Sequence, residues 1–376
     1  MKPINRIERN ITNRIVKIKA PEFDDLKISE IDISKRREML IVIGKISSNI
    51  REKIINYCKN NELPYVALTE RKTFKIKKEI QKAASDYSTK ALLLVGDAQV
   101  IPPLPVDIKT FSDLIYEDLD DDLLPDTPVG RVFGSYPTII SHINPKLADT
   151  DIALIFNAKN TSAARHEKIL KSLGFNVYSL PTFSVDNREL INYAEIIIQF
   201  SDGPIYGRVH GSPDMWLTHS DIILDGNTLN KYSFIAYPLV FSEACQTGQF
   251  GKLVKGFLNS KALYIAATGD TFNNLEPCKS WKNCLFADGF KIGLFDELDS
   301  HNTIGETKIA VERELISNLP NKLFKKYELL MTGHNIFVDH QNFLSVVQWF
   351  MFGNPMRPPA IGPRGRFDGI IIPVDT

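Results

Sequence analysis

The stretch MLIVIGKISSNIREKIINYCKNNELPYVAL, residues 39–68, contains the alternation of apolar runs and amphipathic segments that decides the fold class. The pattern extends to residue 95 and predicts, in order, a strand, a helix, a strand, a helix and a strand over 40–43, 49–60, 64–68, 74–87 and 91–95. Strands that alternate with helices are typical of crossover units, so we predict a largely parallel sheet flanked by helices.

A second block of the same kind begins at residue 151. Its predicted strands lie at 152–156, 176–180, 195–200, 234–240 and 262–267. Its predicted helices lie at 162–173, 187–192, 249–259, 303–318 and 321–331, followed by a final apolar element at 343–352. Between the blocks, residues 101–134 are rich in Pro and Asp, which predicts loops and short irregular strands. A chain of 376 residues is long enough for two such units.

Composition excludes several classes of protein. Lys and Arg together number 45, as do Asp and Glu, so the formal net charge is zero and no overall field favours nucleic acid or an anionic membrane. No window approaches the roughly 20 apolar residues of a membrane span, and the first residues lack the apolar core of a secretory signal. The cysteines have spacings that fit neither a disulfide framework nor a C-x-x-C zinc site; they are Cys58, Cys245, Cys278 and Cys284. We therefore expect a cytoplasmic protein in a reducing compartment, without nucleic-acid or membrane partners.

Polar residues that follow two predicted strands are the main candidates for chemistry, because ligands meet an open parallel sheet at the carboxyl ends of its strands. GRVHGSP, residues 207–213, comes after the strand predicted at 195–200 and a short loop, and FSEACQTG, residues 241–248, follows the strand predicted at 234–240. If these strands are neighbours, His210 and Cys245 face the same crevice. The imidazole would then supply the base that a reactive thiol needs.

Small residues beside each candidate would let a substrate carbonyl approach the main chain, so the N–H groups of Gly211 and Cys245 are predicted to form the oxyanion hole. Taken alone, a cysteine after an apolar strand is usually a small buried hydrophobe, and a lone histidine is usually structural. The ordered pair of His-Gly and Ala-Cys-x-x-Gly after successive strands favours a catalytic dyad.

These segments resemble the gingipain-type cysteine peptidase family (C25-like) of the caspase, legumain, clostripain and separase clan, in which His-Gly follows one strand and Ala-Cys-x-x-Gly follows the next. Further segments similar to that family are LLVGD at 93–97 with IPP at 101–103, YEDLDDDLLPD at 116–126 with VGR at 129–131, and FGNPM at 352–356. Asn354 stands where Asp is usual, and Val209 replaces the Gly that usually precedes the catalytic His. The similarity spans residues 40–357.

The resemblance implies a caspase-like α/β fold with mostly parallel sheets and two α/β subdomains. The implied boundaries are an N-terminal extension over 1–38, a first gingipain-like subdomain over 39–148, a catalytic subdomain over 149–357 and a tail over 358–376. It also implies a cysteine endopeptidase that forms a thioester acyl-enzyme at Cys245, acts on protein or peptide substrates, cuts after Lys or Arg and needs no cofactor. An intracellular peptidase would require control, by an activating protein partner, a ligand or self-cleavage.

The acidic loop 116–126 admits more than one interpretation. Asp118, Asp120 and Asp122 occupy alternate positions as in calcium loops, but Leu123 stands where an EF-hand needs Gly, and its twelfth position lacks the required Glu. Two alternatives to calcium binding remain. The loop is a solvated surface loop, or Asp126 contributes a carboxylate to a pocket for a basic substrate side chain, as the resemblance to gingipains implies. No metal is predicted in the catalytic site.

Trp216 and Glu243 lie near the predicted catalytic residues in the sequence, and two rival functions are also considered. Trp216 is predicted to line the substrate pocket, with core packing as the alternative. Glu243 either orients the site or pairs with a nearby cation, and it is not predicted to be catalytic. One rival hypothesis keeps the fold without the chemistry, as a catalytically silent scaffold or binding module in a larger assembly. The other is a calcium-dependent regulator centred on 118–126.

Overall fold

The computed structural model describes residues 28–30, 36–148, 152–157, 163–181, 204–217, 222–230, 233–234, 237–271, 280–284, 287–334, 336, 338 and 340–359. The helix predicted at 187–192 and the strand predicted at 195–200 lie outside these residues. Among the helices that are described, none has the length and apolar character needed to cross a membrane.

The described residues form both strands and helices, which alternate most regularly between residues 39 and 95. Strands β1 to β17 cover Ile28–Glu30, Met39–Ile43, Tyr65–Ala67, Ala91–Val95, Leu104–Pro105, Phe111–Ser112, Val129–Val132, Lys146–Ala148, Ile152–Asn157, Asn176–Pro181, Ile205–Arg208, His210–Ser212, Met215–Leu217, Ile222–Asp225, Leu239–Ser242, Leu263–Ala267 and Trp349–Phe352. Helices α1 to α11 cover Ser48–Asn60, Thr73–Tyr87, Leu114–Glu117, Tyr136–Ile143, Ala163–Ser172, Gly226–Leu229, Lys252–Asn259, Ala287–Asp296, Ile304–Ser317, Asn321–Met331 and Gln341–Val347.

Ten of the described strands form one sheet, in the order β10-β9-β11-β15-β16-β17-β7-β4-β2-β3. Neighbours pair in parallel except at β16 and β17, which are antiparallel. The strands on the β7 side of this junction therefore run opposite to those on the β16 side. The mostly parallel sheet with flanking helices confirms the predicted fold class.

The reversal at β17 decides which loops meet. The amino end of β7 lies at the same edge of the sheet as the carboxyl ends of β11, β15 and β16. We call this edge the site edge. The apolar element predicted at 343–352 consists of helix α11 followed by β17.

Both faces of the sheet are covered, and this explains the uninterrupted apolar runs in the sequence. Leu40 and Val42 of β2 belong to one buried cluster, while Met39, Ile41 and Ile43 belong to the other. Successive side chains of a strand point to opposite faces, so a strand that is buried on both must be apolar at every position.

Strand β7 and helix α8 are among the elements that the apolar periodicity did not predict. Strand β7 lies in the segment predicted as loop and short irregular strand. It has no continuous apolar run, because it contains Gly130 and the buried Arg131. A Cβ on Gly130 would lie 2.1 Å from the carbonyl oxygen of Gly353, so only glycine lets β17 approach. Helix α8 is buried almost all round and includes two glycines, so it has no amphipathic period to detect.

Two further expectations are corrected. Residues 205–208, predicted as loop, form β11, which pairs with both β9 and β15. Cys284 is disulfide-bonded, whereas Cys58 and Cys245 are free thiols. The expectation that the cysteine spacings exclude a disulfide is therefore wrong for Cys284.

Candidate active site

His210 and Cys245 follow two neighbouring strands at matched positions. Strands β11 and β15 pair in parallel with Gly207 opposite Ser242. His210 comes three residues after Gly207, and Cys245 comes three residues after Ser242. Parallel strands in register bring the residues that follow them to the same edge of the sheet. The structure thus places both predicted residues at the site edge.

Gly211 shows how closely the two segments approach. A Cβ at Gly211 would lie 2.8 Å from the carbonyl oxygen of Cys245 and 2.6 Å from the Cβ of Ala244. Any side chain larger than hydrogen would therefore push the two segments apart. The glycine after the histidine is required because the backbone of His210–Ser212 lies directly against the cysteine loop.

A small antiparallel sheet, β12-β13-β14, holds the histidine strand in place. The turn between β12 and β13 contacts the start of helix α7, where the Leu253 N–H donates to the Pro213 carbonyl at 3.2 Å. The Lys252 N–H donates to the Asp214 carboxylate at 2.9 Å. These bonds satisfy N–H groups that a helix start otherwise leaves without partners, and they tie His210 to the main fold.

The sulfur of Cys245 contacts a residue that the sequence did not single out. The Thr271 N–H donates to Sγ at 3.3 Å, and the Thr271 hydroxyl oxygen lies 3.4 Å from Sγ. Thr271 follows β16, so it reaches the site edge from the next strand along. The rule that pointed to His210 and Cys245, which is to inspect polar residues after parallel strands, applies equally to residues 268–271.

The loop that carries Cys245 is held by backbone hydrogen bonds to β16 and to the residues that follow it. Gln246 has a φ of +59°, in the left-handed region that non-glycine residues rarely adopt. Its N–H donates to the Gly269 carbonyl at 2.8 Å, and the Gly248 N–H donates to the Ala267 carbonyl at 2.7 Å. Strained backbone of this kind persists only where the surroundings determine it, and it is common at functional sites.

Glu243 lies beneath the cysteine loop and is fully buried. It accepts hydrogen bonds from the Lys291 ammonium at 3.0 Å and from the Tyr206 hydroxyl, and the Arg208 guanidinium lies 3.7 Å away. Burial raises the pKa of the Glu243 carboxyl, but the charges of Lys291 and Arg208 outweigh burial and hold the pKa below its usual value. Pairing with a cation, one of the two roles expected for Glu243, is what the structure shows.

Trp216 is a core residue rather than a pocket wall. Its side chain is 0% exposed and its ring lies over Gly207, where a Cβ would come within 2.7 Å of it. The indole N–H donates to the Ser242 hydroxyl at 2.9 Å, so the ring supports β11 and β15 from below. The expectation that Trp216 contacts substrate is corrected, because a side chain with no exposed surface has none to offer.

The acidic loop brings together a different set of carboxylates from the one predicted. One oxygen each of Asp118, Asp120 and Asp126 lie within 4.8 Å of one another. The Lys77 ammonium lies 3.1 Å from Asp118, so the chain itself supplies a positive charge there. Asp126 accepts from the Asp120 N–H at 3.2 Å and from the Thr127 hydroxyl. Its carboxylate is thus used within the loop.

The first block also reaches the site edge. The Phe111 N–H donates to the Thr268 hydroxyl at 3.1 Å, and that hydroxyl donates to the Phe111 carbonyl at 2.8 Å. The Gln249 amide donates to the Lys109 carbonyl at 3.2 Å and to the Thr268 carbonyl at 3.0 Å. The segment 109–111 therefore braces the loop after β16, which in turn contacts the sulfur.

Comparison with known proteins gives a family match for one segment and a shared fold. Residues 69–152 match the model of peptidase family C25. The crystal structure of the Arg-specific cysteine proteinase gingipain R is similar with a TM-score of 0.60 and 15% identity, over 88% of this chain and 80% of that chain. A second structure, of a protease, has a TM-score of 0.57 and 16% identity, over 86% of this chain and 78% of that one. No curated protein sequence matches. Residues 69–152 of this chain are thus similar to peptidase family C25, and the chain as a whole shares the fold of gingipain R.

Proposed function

We propose that the protein is a cysteine endopeptidase with Cys245 as nucleophile and His210 as general base. The observation that carries the proposal is the matched register of β11 and β15, together with the contact of Gly211 against the Cys245 carbonyl. Two potentially reactive side chains thereby follow adjacent strands at one edge of the sheet. The similarity of residues 69–152 to peptidase family C25 supports the reaction class, which is hydrolysis of peptide bonds.

In the proposed mechanism the thiol proton moves to the His210 imidazole as Sγ attacks the scissile carbonyl carbon. The resulting imidazolium donates that proton to the leaving amine, and the acyl group remains on Cys245 as a thioester. Water then attacks the thioester, again with His210 as base, and releases the acid. The backbone N–H groups of Gly211 and Cys245 are the proposed donors to the oxyanion, which supports the strict need for a small residue at 211.

A preference for Lys or Arg before the scissile bond follows from the family and has a candidate partner. Asp270 is exposed at the site edge and directly precedes Thr271, which contacts the sulfur. The Gln246 amide donates to one oxygen of Asp270 at 2.8 Å and so orients the carboxylate. We propose Asp270, in preference to Asp126, as the group that receives a basic substrate side chain. Control by a protein partner, a ligand or self-cleavage remains part of the proposal.

The dyad is tested by hydrolysis of Lys and Arg peptide reporters. Cys245→Ala and His210→Ala are expected to lower kcat by more than about a thousandfold, because each removes a group that takes part in bond making or proton transfer. His334→Ala is the matched control, since His334 is exposed and follows helix α10. Equal rates in wild type and both dyad variants would overturn the assignment.

The silent-scaffold alternative is separated by a peptide-based electrophile. Wild-type protein is expected to become labelled at Cys245 under reducing conditions, as read by mass spectrometry. Cys58 serves as an internal control, because it is completely buried and burial raises the pKa of its thiol to about 12. An unlabelled Cys245 in folded protein would favour the scaffold.

A further inference from the structure

Two groups of Thr271 lie closest to the proposed nucleophile and have opposite preferences, while the Thr271 carbonyl oxygen is a more distant acceptor at 4.0 Å. Its N–H donates to the Cys245 sulfur at 3.3 Å, which favours a thiolate. Its hydroxyl oxygen lies 3.4 Å from the same sulfur and 2.6 Å from the carbonyl oxygen of Glu243. The state of the sulfur therefore depends on where the hydroxyl proton of Thr271 points.

A hydroxyl has a single proton and two lone pairs. The Glu243 carbonyl can only accept, and a separation of 2.6 Å is that of a strong O–H···O bond, so the Thr271 proton is directed to Glu243. The oxygen of Thr271 then offers only lone pairs to the sulfur. A thiol can donate its proton to those lone pairs. A thiolate has no proton to donate, so its negative charge would face the lone pairs of the hydroxyl oxygen.

From this proton inventory we propose that the Thr271 hydroxyl oxygen holds Cys245 as a protonated, resting thiol and so restrains the nucleophile. The proposal rests on Cys245 being the nucleophile. When the S–H bond breaks, the proton passes to the His210 imidazole, which becomes imidazolium. The thiolate can no longer donate a hydrogen bond to the Thr271 hydroxyl oxygen, but it still accepts one from the Thr271 N–H. Thr271 thus acts on the reacting atom itself, from the strand on the far side of Cys245 from His210.

The charged groups near the sulfur, and those that pair with them, come from five segments of the described chain. His210 lies on β12, and Asp270 lies on the loop after β16. Glu243 lies on the segment of Cys245 itself, and its partners are Lys291 of α8 and Arg208 of β11. Substitution of Thr271 leaves all five in place, so a change in thiol reactivity on substitution reports on the hydroxyl.

The experiment measures the rate of Cys245 alkylation by iodoacetamide as a function of pH, in wild type, Thr271→Val and Thr271→Ser. Valine retains the backbone N–H and removes the hydroxyl, so the midpoint of the pH profile is expected to move down by about half to one pH unit. The rate at pH 7 should rise about two- to fourfold, because the less basic thiolate is also a weaker nucleophile. Serine keeps the hydroxyl and should reproduce the wild-type profile.

Mass spectrometry of the labelled peptide assigns the rate to Cys245, with buried Cys58 as internal control. Thr271→Ala repeats the test with a smaller side chain if the valine variant does not fold. A midpoint that is unchanged or moves up in the variants lacking the hydroxyl overturns the proposal. Peptide hydrolysis is measured separately, so a wild type that hydrolyses reporters but shows no midpoint shift keeps the proposed function and loses the restraint. A midpoint shift in a protein that does not hydrolyse the reporters keeps the restraint and loses the proposed function.

Discussion

Two buried charge clusters in this protein, one beneath the site and one between helices, differ in the balance of cations to carboxylates. In the site cluster, the Glu243 carboxylate is shared by Lys291 and Arg208, and Lys291 also reaches outside the cluster to the partly exposed Asp288. In the helix cluster, the Lys308 ammonium is shared by Glu117 at 2.7 Å and Glu312 at 2.6 Å. All members of both clusters are buried.

The difference in balance gives the carboxyl groups opposite titration behaviour. Burial raises the pKa of Glu117, and burial together with the neighbouring Glu117 raises the pKa of Glu312 well above its usual value. One oxygen of each carboxyl group is buried without a hydrogen-bond partner, and the two groups share the single Lys308 ammonium. Two carboxyl groups that share a site favour protonation of one of them. The Glu243 carboxyl instead has a lowered pKa and keeps its charge. The site cluster thus favours the ionised form of its buried glutamate, whereas the helix cluster favours the neutral form of its carboxyl groups.

Removal of the single cation of the helix cluster should have the largest effect. Lys308→Met leaves two buried carboxyl groups with no positive neighbour, and we expect the free energy of unfolding to fall by about 3–5 kcal/mol. Urea denaturation at pH 7 measures the change. Lys282→Met is the control, because Lys282 is exposed and lies 4.0 Å from Glu314. A loss below about 1 kcal/mol would mean that the cluster does not depend on its cation.

Glu243→Gln should cost less stability and more activity. It retains the shape of the side chain but removes the buried negative charge that Lys291 and Arg208 share, although Lys291 keeps its contact with Asp288. We expect a loss of about 2–3 kcal/mol. Because Glu243 also links β11, through Tyr206 and Arg208, to the cysteine loop, kcat should fall while KM changes little. Glu314→Gln, at the partly exposed pair with Lys282, is the matched control. Full activity in a folded Glu243→Gln protein would show that the charge does not position the dyad.

Glu312→Gln should have the smallest effect at neutral pH, within about 1 kcal/mol, because it replaces a carboxyl group whose raised pKa favours the neutral form. Its effect should depend on pH in a defined direction. A raised pKa in the folded state means that wild type loses stability as pH rises above the usual value of 4.5. The glutamine variant lacks this loss, so its stability relative to wild type should increase from pH 5 to pH 8.

Glu243→Gln should show the opposite dependence. A lowered pKa contributes stability that is present above pH 4.5 and is lost as pH falls through the folded value. The deficit of that variant should therefore shrink in acid. Denaturation of wild type and both variants between pH 3.5 and pH 8 measures the two trends, and parallel trends would contradict the contrast between the clusters.

The alternating pattern predicted most described elements of the sheet to within a few residues. Strands β2, β4 and β9 and helices α1, α2 and α10 lie where the apolar periodicity places them, because burial on both faces or on one stripe leaves a direct trace in the sequence. Helix α8 left no such trace because it is buried nearly all round. Strand β17 was hidden because a short apolar segment after a helix does not reveal its direction or its neighbours.

The candidate site was predictable only where chemistry and position coincided. His210 and Cys245 are reactive residue types that follow apolar strands, and sequence alone is sufficient to select them. Trp216 was misplaced because nothing local distinguishes a pocket wall from a ring that covers Gly207. Thr271 and Lys291 were missed because each acquires its role from one neighbour that is distant in sequence, the sulfur of Cys245 or the carboxylate of Glu243.

The amino-acid order by itself determined the layered α/β class, the pair of residues proposed for catalysis and the glycine that must stand beside them, since each depends on residue type and local spacing. Tertiary structure alone decided that β17 reverses the sheet, that Thr271 reaches the sulfur and that Glu243 keeps its charge. These features depend on distances between segments far apart in the chain, and on how many charges share one buried space, and neither quantity is encoded in any local pattern.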